Sequence, residues 1–208
     1  MFVAMKRRKS IGIILSSLAA AGCGREKAVA AEEPWIEMRD DWEGMGGGQI
    51  DPGEPLRIGW GEGLTAVKWQ GDVPKPPFEM KLMAMRVDGT DFFCAVTFPV
   101  RESGECVTLV IGGWGGSLVG ISSIDGKDAS ENETTSHHVF DTDVWYRIHL
   151  VCEGERIAAW IDGKKVVDVD TAGKKLSLRE GQISDCAPFG LATWQTTGVI
   201  RNVMWRPL

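Results

Sequence analysis

From Trp35 to its C-terminus the chain never sustains a 3.6-residue apolar stripe. It carries instead short runs rich in Val, Ile, Thr, Phe and Trp, broken by Gly, Pro, Asp and Asn. An amphipathic helix has no use for such a pattern, whereas half-buried strands joined by tight turns do. Candidate strands fall at 56–59, 66–69, 78–87, 92–98, 106–111, 117–122, 137–140, 144–152, 156–161, 164–169, 189–194 and 199–206. Twelve strands of this length predict an all-β fold, an antiparallel β-sandwich of two stacked sheets. Residues 44–48, 51–55, 74–77 and 112–116 read as loops from their Gly, Pro and Asp content. About 170 residues suffice for one core and are too few for two ordinary domains, so 35–208 is expected to be a single domain.

One stretch permits a register. Glu153-Gly154 between two strand patterns predicts a two-residue hairpin loop, so that partner numbers sum to 307. Leu150 then faces Ile157, Ile148 faces Ala159 and Tyr146 faces Ile161 on one apolar side. The other side pairs His149 with Ala158, Arg147 with Trp160 and Trp145 with Asp162. Arg147 opposite Trp160 suggests a cation-π pair, although both tryptophans could equally serve as a cover over the sheet. Asp162-Gly163 predicts a further tight turn into 164–169.

The first 22 residues have a different texture. Lys6, Arg7, Arg8 and Lys9 precede an apolar run at 11–21 and then small residues up to Cys23, the layout of a secretory signal peptide. The run is about half the length needed to cross a bilayer. Cleavage before Cys23 would create a lipidated N-terminus, and cleavage after Ala30 an ordinary one. Arg7-Arg8 also permits twin-arginine export. Residues 23–34 are small and charged without periodicity, as expected of a flexible tether. The expected location is the cell envelope, either periplasm or outer membrane, with membrane contact only through the lipid, or the exterior. Loss of residues 1–22 removes four cations and no acids, taking the net charge from −6 to −10. Such a surface repels phosphate backbones, which argues against a nucleic-acid partner. Cys94, Cys106, Cys152 and Cys186 have neither zinc-site nor Cys-x-x-Cys spacing, and their pairing stays open.

The runs 144–148, 156–168, 188–193 and 199–203 carry a Trp-x-Arg strand, an Asp-Gly hairpin and a closing Arg-Asn strand. In these features the chain from about Pro77 onward resembles domain of unknown function 1080, the 3-keto-disaccharide hydrolase or 3-keto-glucoside lyase and hydratase family. The resemblance implies a concanavalin A-like lectin and glucanase jelly roll. It also implies a reaction in which a 3-keto group acidifies the C2 proton, a base removes it, and the glycosidic oxygen leaves C1. Water then adds to the glycal. A base, a cation or divalent metal at the enolate oxygen and an aromatic platform are required. Glu131 or His149 could be the base, Arg147 or a metal (Ca²⁺ or a transition metal) held by Asp125 and Asp128 the electrophile, and Trp114 or Trp160 the platform. Asn132, Trp145 and Asp162 are further candidates for sugar contacts.

Glu131 and Glu133 are two apart and would share a strand face, which leaves a glycosidase reading open. Four carboxylates between Asp125 and Glu133 can as well form a solvated loop. Neither a phosphate-binding Gly-x-x-x-x-Gly-Lys motif nor a Gly-x-Ser-x-Gly elbow occurs. Nine Trp against one Tyr favour a carbohydrate ligand, since flat rings stack on pyranose C–H faces, with Trp69, Trp194 and Trp205 expected to fill the core. The alternative to an enzyme is a non-catalytic carbohydrate-binding or cell-surface module of laminin-G or lectin-like fold.

Overall fold

A computed structural model describes residues 33–208; the candidate leader, Cys23 and all but the end of the tether lie outside the described residues. In chain order the strands are β1 (Ile36–Glu37), β2 (Trp42–Gly46), β3 (Ile50–Asp51), β4 (Leu56–Ile58), β5 (Leu64–Trp69), β6 (Phe78–Gly89), β7 (Cys94–Pro99) and β8 (Cys106–Gly112). They continue with β9 (Leu118–Ser122), β10 (Ser136–His137), β11 (Trp145–Cys152), β12 (Arg156–Ile161), β13 (Lys164–Asp170), β14 (Gly190–Trp194) and β15 (Thr196–Pro207). Eight strands form one antiparallel sheet in the order β13-β12-β11-β6-β15-β4-β3, with β1 on β15. Seven form the other, β10-β9-β8-β7-β14-β5-β2. The all-β sandwich expected from the strand-and-turn pattern is the fold.

Strict alternation builds the space between the sheets. On β11, Tyr146, Ile148, Leu150 and Cys152 are buried, while Trp145, Arg147, His149 and Val151 are more open. Phe78 and Phe98 come from opposite sheets and meet edge to face at 6.2 Å. Phe93, Phe140 and Tyr146 form a second aromatic group, with ring centroids 5.0 Å apart for the first two. Each side chain of this size contributes about 1.5–3 kcal/mol on leaving water. On β7, β8 and β9, by contrast, every residue is buried, so the outer face of the seven-stranded sheet is itself covered along much of its length.

The hairpin β11–β12 corrects the expected register by two residues. Leu150 pairs with Ala159 and Ile148 with Ile161. The loop is Gly154-Glu155, closed by a bond from the Glu153 N–H to the Arg156 carbonyl at 2.9 Å. Gly154 has φ +83° and takes the first central position, where a primed turn accepts glycine. Because side chains alternate with period two, this slip leaves each residue on its expected face. It changes the partners instead. His149 stacks on Trp160 at 5.1 Å, and Arg147 pairs with Asp162 at 3.2 Å, so the expected Arg147–Trp160 stack gives way to these two contacts. Asp162 and Gly163 form the predicted tight turn, with φ of +49° and +82°.

Three short strands, β1 to β3, fall where loops or nothing had been expected. β2 is an edge strand whose glycines give no alternation to read, yet its backbone pairs with β5 from Trp42–Trp69 to Gly46–Thr65. The strand expected at 137–140 reduces to β10. The four cysteines among the described residues are buried free thiols; burial pushes Cys94 and Cys186 up to about 12 and Cys152 to about 11, so they stay protonated.

Candidate functional site

The outer face of the seven-stranded sheet is paved with small side chains. Because Leu191 points into the inter-sheet core, Ala192 and Trp194 point outward. Register then extends a row from Ala192 to Ala66 on one side and to Ala95, Val110 and Gly120 on the other. The neighbouring row runs Gly190, Thr97, Thr108 and Ser122, with the two threonine hydroxyls bonded at 2.9 Å. At one end of this floor the 3-10 turn Gln182–Cys186 rests on Gly190 and Leu64; an added Cβ at Gly190 would meet Cys186 at 2.9 Å. At the other end the 124–135 loop covers Gly120 through Ala129 and Thr134. Between these covers lies a cleft of about 460 Å³.

Ala95, Thr108, Val110 and Ser122 form the floor of the cleft, and Phe92, Trp114, Trp194 and the 179–183 segment form its walls. Trp114 is 40% exposed and Trp194 37%, an unusual degree for so large an apolar ring. Arg179 stands 5.6 Å from the Trp114 ring and 3.5 Å from Asp128. One carboxylate, Asp91, is half-buried in the wall. It accepts the Phe92 N–H at 2.7 Å and the N–H groups of Trp114 and Gly115. Burial raises its pKa above the usual aspartate range, outweighing those bonds and the nearby Arg86.

Trp114 is held by backbone geometry that only its neighbours permit. Gly112, Trp114, Gly115 and Gly116 all have positive φ, between +47° and +102°. The amides of Trp114 and Gly115 turn toward Asp91, forming a nest for an anion that the chain itself supplies. Beneath the loop Arg86, 6% exposed, donates to the carbonyls of Asp91 (3.3 Å), Gly112 (3.4 Å) and Gly116 (2.9 Å). A Cβ on Gly112 would lie 2.6 Å from this guanidinium, so glycine is required there for packing as well as for φ.

The residues singled out in the sequence divide between the two sides of the sandwich. Trp114 lines the cleft. Asp125, Asp128, Glu131 and Asn132 lie in the loop that covers the seven-stranded sheet. Asp125 accepts the Lys175 N–H at 2.8 Å, and Asp128 accepts the Ser130 amide (2.9 Å) and hydroxyl (2.6 Å). Among the described residues no group of three His, Cys, Asp or Glu is placed to hold a metal ion. Glu131 is exposed, and Glu133 pairs with Lys174. Asn132 is buried with both amide atoms engaged. Its Nδ2 donates to the carbonyls of Ile121, Lys127 and Asp128, and its Oδ1 accepts the amide and hydroxyl of Thr134. Asn132→Ala leaves several of these groups unpaired and is expected to cost about 2–3 kcal/mol, read from urea unfolding.

Trp145, Arg147, His149, Trp160 and Asp162 share the outer face of the eight-stranded sheet, and their rings are covered by the protein itself. Arg201 lies 4.0 Å from the Trp145 ring, and Trp160 has His149 and Lys165 against it. His149 also bonds Glu79 at 2.7 Å. Burial pushes the Glu79 carboxyl up, but its bonds to His149 and Arg206 prevail and hold it below the usual range. Asp91, Arg179 and Trp194 had no place among the expected site residues. Trp194 was expected in the core, where Trp69 and Trp205 do lie; the alternation from Leu191 puts it outside.

No curated protein matches the sequence. Among solved structures the chain is similar to a Bacillus subtilis protein of unknown function with a galectin-like fold, at 11% identity over 83% of this chain and 94% of that one, with TM-score 0.57. It is also similar to the exoplasmic/lumenal domain of VIP36 in a Ca²⁺/Man-bound form (12% identity, 81% and 83% covered, TM-score 0.55). A third is the Crh5 transglycosylase in complex with NAG (10% identity, 83% and 85% covered, TM-score 0.50). At such identities the likeness establishes the fold. Residues 79–206 match the family described as 3-keto-alpha-glucoside-1,2-lyase-like domain, and with more than half of its length matched the chain belongs to that family and has a carbohydrate-related function.

Proposed function

We propose that the cleft over the seven-stranded sheet binds a 3-keto-glycoside and that Asp91 is the proton acceptor for its cleavage. The observation that carries this reading is a half-buried carboxyl with a raised pKa in the wall that it shares with two open tryptophan rings. Trp114 and Trp194 offer apolar faces to pyranose rings, and the small side chains of the floor let a sugar approach the backbone. With the 3-keto group at the Arg179 end, the guanidinium meets the developing enolate oxygen. Asp91 takes the C2 proton, the C1–O bond breaks, and the leaving alkoxide takes a proton as the C1=C2 bond forms. Addition of water then places a hydroxyl on C1 and a hydrogen on C2.

The test incubates the protein with a 3-keto-glucoside and with its 3-hydroxy parent. Release of the aglycone from the keto sugar alone is expected, and binding of both without cleavage would overturn the lyase assignment. That second outcome defines a carbohydrate-binding module. One observation favours it, since Asp91 already accepts three backbone N–H groups. In either case Trp194→Ala is expected to weaken sugar binding about tenfold by removing one stacking platform, as calorimetry would show.

A further inference from the structure

Three tryptophans among the described residues are more than a third exposed, Trp60 at 53%, Trp114 and Trp194. All three stand at the same end of the sandwich. There β14 ends at Trp194 opposite Leu64, the first residue of β5, and Ile111 near the end of β8 faces Cys94, the first residue of β7. Three connections cross between the sheets at this end: 59–63 from β4 to β5, 90–93 from β6 to β7, and Gln195 from β14 to β15. In the larger sheet β15 lies between β6 and β4, and in the smaller β14 lies between β7 and β5. The crossing at Gln195 is therefore the middle one, with Asp91 on one side of it and Trp60 on the other. Strand spacing puts the two outer crossings about 10 Å apart.

Hydrogen bonds fix this order. Asp91 donates its N–H to Thr196 Oγ1 at 3.0 Å, and Trp60 donates its own to Thr197 Oγ1 at 3.1 Å, both threonines being buried. Trp194 donates to the Phe92 carbonyl and Gln195 to the Gly63 carbonyl, each at 3.1 Å. The crossing that carries Trp60 continues Gly61-Glu62-Gly63. A Cβ on Gly63 would lie 3.8 Å from the Trp194 ring, so that ring rests against bare backbone, and Glu62 and Gln195 are exposed beside it. Trp60 has neither a ring nor a cation against it among the described residues, whereas Trp35, Trp145 and Trp160 each carry a cation.

An open apolar ring, a floor without side chains and polar groups at its edge are what stack and orient a pyranose. This surface continues the cleft, whose own open rings are Trp114 and Trp194, in a chain of carbohydrate-related function. We propose that the cleft extends over the rim onto Trp60 as a further sugar subsite, so that the ligand is a glycan of three or more residues with one ring on each open tryptophan. The proposal rests on the reading of the cleft as a sugar site and is independent of Asp91 chemistry. Where that chemistry holds, the group leaving C1 is the part of the glycan that runs past Trp194 to Trp60.

The experiment is calorimetry on the full chain with methyl glucoside and with malto- and cello-oligosaccharides of two to five glucose residues. In the series whose linkage follows the rim, affinity is expected to rise about tenfold between the disaccharide and the trisaccharide. Trp60→Ala is expected to lower trisaccharide affinity about tenfold and to leave the disaccharide unchanged, with Trp60→Phe restoring most of the loss. Its urea midpoint should not move, because the bond to Thr197 is made by the backbone. Trp194→Ala, which removes a platform of the cleft itself, should weaken both sugars. Affinity that does not grow with length in either series overturns the subsite and leaves the cleft reading standing. So does an equal loss for both sugars in Trp60→Ala, or self-association of the parent that this variant abolishes. Failure of every probe to bind, the 3-keto-glucoside included, overturns the cleft reading and the subsite with it.

Discussion

Asp91→Asn is expected to reduce turnover of a 3-keto-glucoside at least about 100-fold, the lower end of what a positioned general base contributes. The amide keeps an oxygen to accept the Phe92 and Trp114 N–H groups, so the loop and the sugar affinity should survive the change. Initial rates alongside calorimetric binding separate the two effects. The pH dependence carries a sign in each. A proton acceptor must be ionised, and burial raises this carboxyl, so activity in the parent should rise with pH through a value above that of an ordinary aspartate. Stability runs the other way. A carboxyl raised in the folded state adds most to stability below its unfolded pKa, and that contribution is lost as pH rises through the folded value. Asp91→Asn should therefore flatten both profiles. A rate unchanged in the variant removes Asp91 from the chemistry.

Arg86→Met should be the most destabilising polar substitution in the domain. It strips three carbonyls of their donor and leaves Asp91 without its nearest buried cation. Removing one partner of such an arrangement costs about 3–5 kcal/mol, measurable as a shift in the urea midpoint at constant slope. Arg86→Lys retains the charge, but a single ammonium on a flexible stem cannot replace the planar fork, so about half of the loss should remain. Where the lysine variant folds, weaker sugar binding at unchanged overall secondary structure would locate the damage in the Trp114 loop.

The sequence disclosed the fold because the evidence for a sandwich is repeated many times. Tyr146, Ile148 and Leu150 alternate with Arg147 and His149, and Ile157, Ala159 and Ile161 answer them, so a two-residue error in register changed no face. The partners were less legible, because either Glu153-Gly154 or Gly154-Glu155 can close the turn and only the position of the positive φ decides between them. Trp114 was visible within its glycine cluster. Trp194 carried a signal in the alternation of its strand, where Leu191 and Thr193 point inward and Ala192 and Trp194 outward. Asp91 had none. It is one acid in a short connection, and what makes it distinctive is the arrival of Trp114 and Gly115 from a different hairpin and of Arg86 from below. The clustered acids of 125–133 drew attention by density, but Asp128 holds a turn within the loop while Asp125, Asp128 and Glu133 tie it to Lys175, Arg179 and Lys174.

The position of β15 bears on how the chain is made. Its residues, Thr196–Pro207, come last in chain order among the described strands, yet they pair with β1, β4 and β6 at the middle of the eight-stranded sheet. Until they emerge, β6 lacks one neighbour and β4 and β1 have none on that side, so the larger sheet cannot close around its core. Contacts between ends so far apart in sequence also form slowly. A nascent chain of this topology stays open to proteases and chaperones until residue 207 has emerged, and a stop codon before residue 196 would release a product with no route to the native sheet.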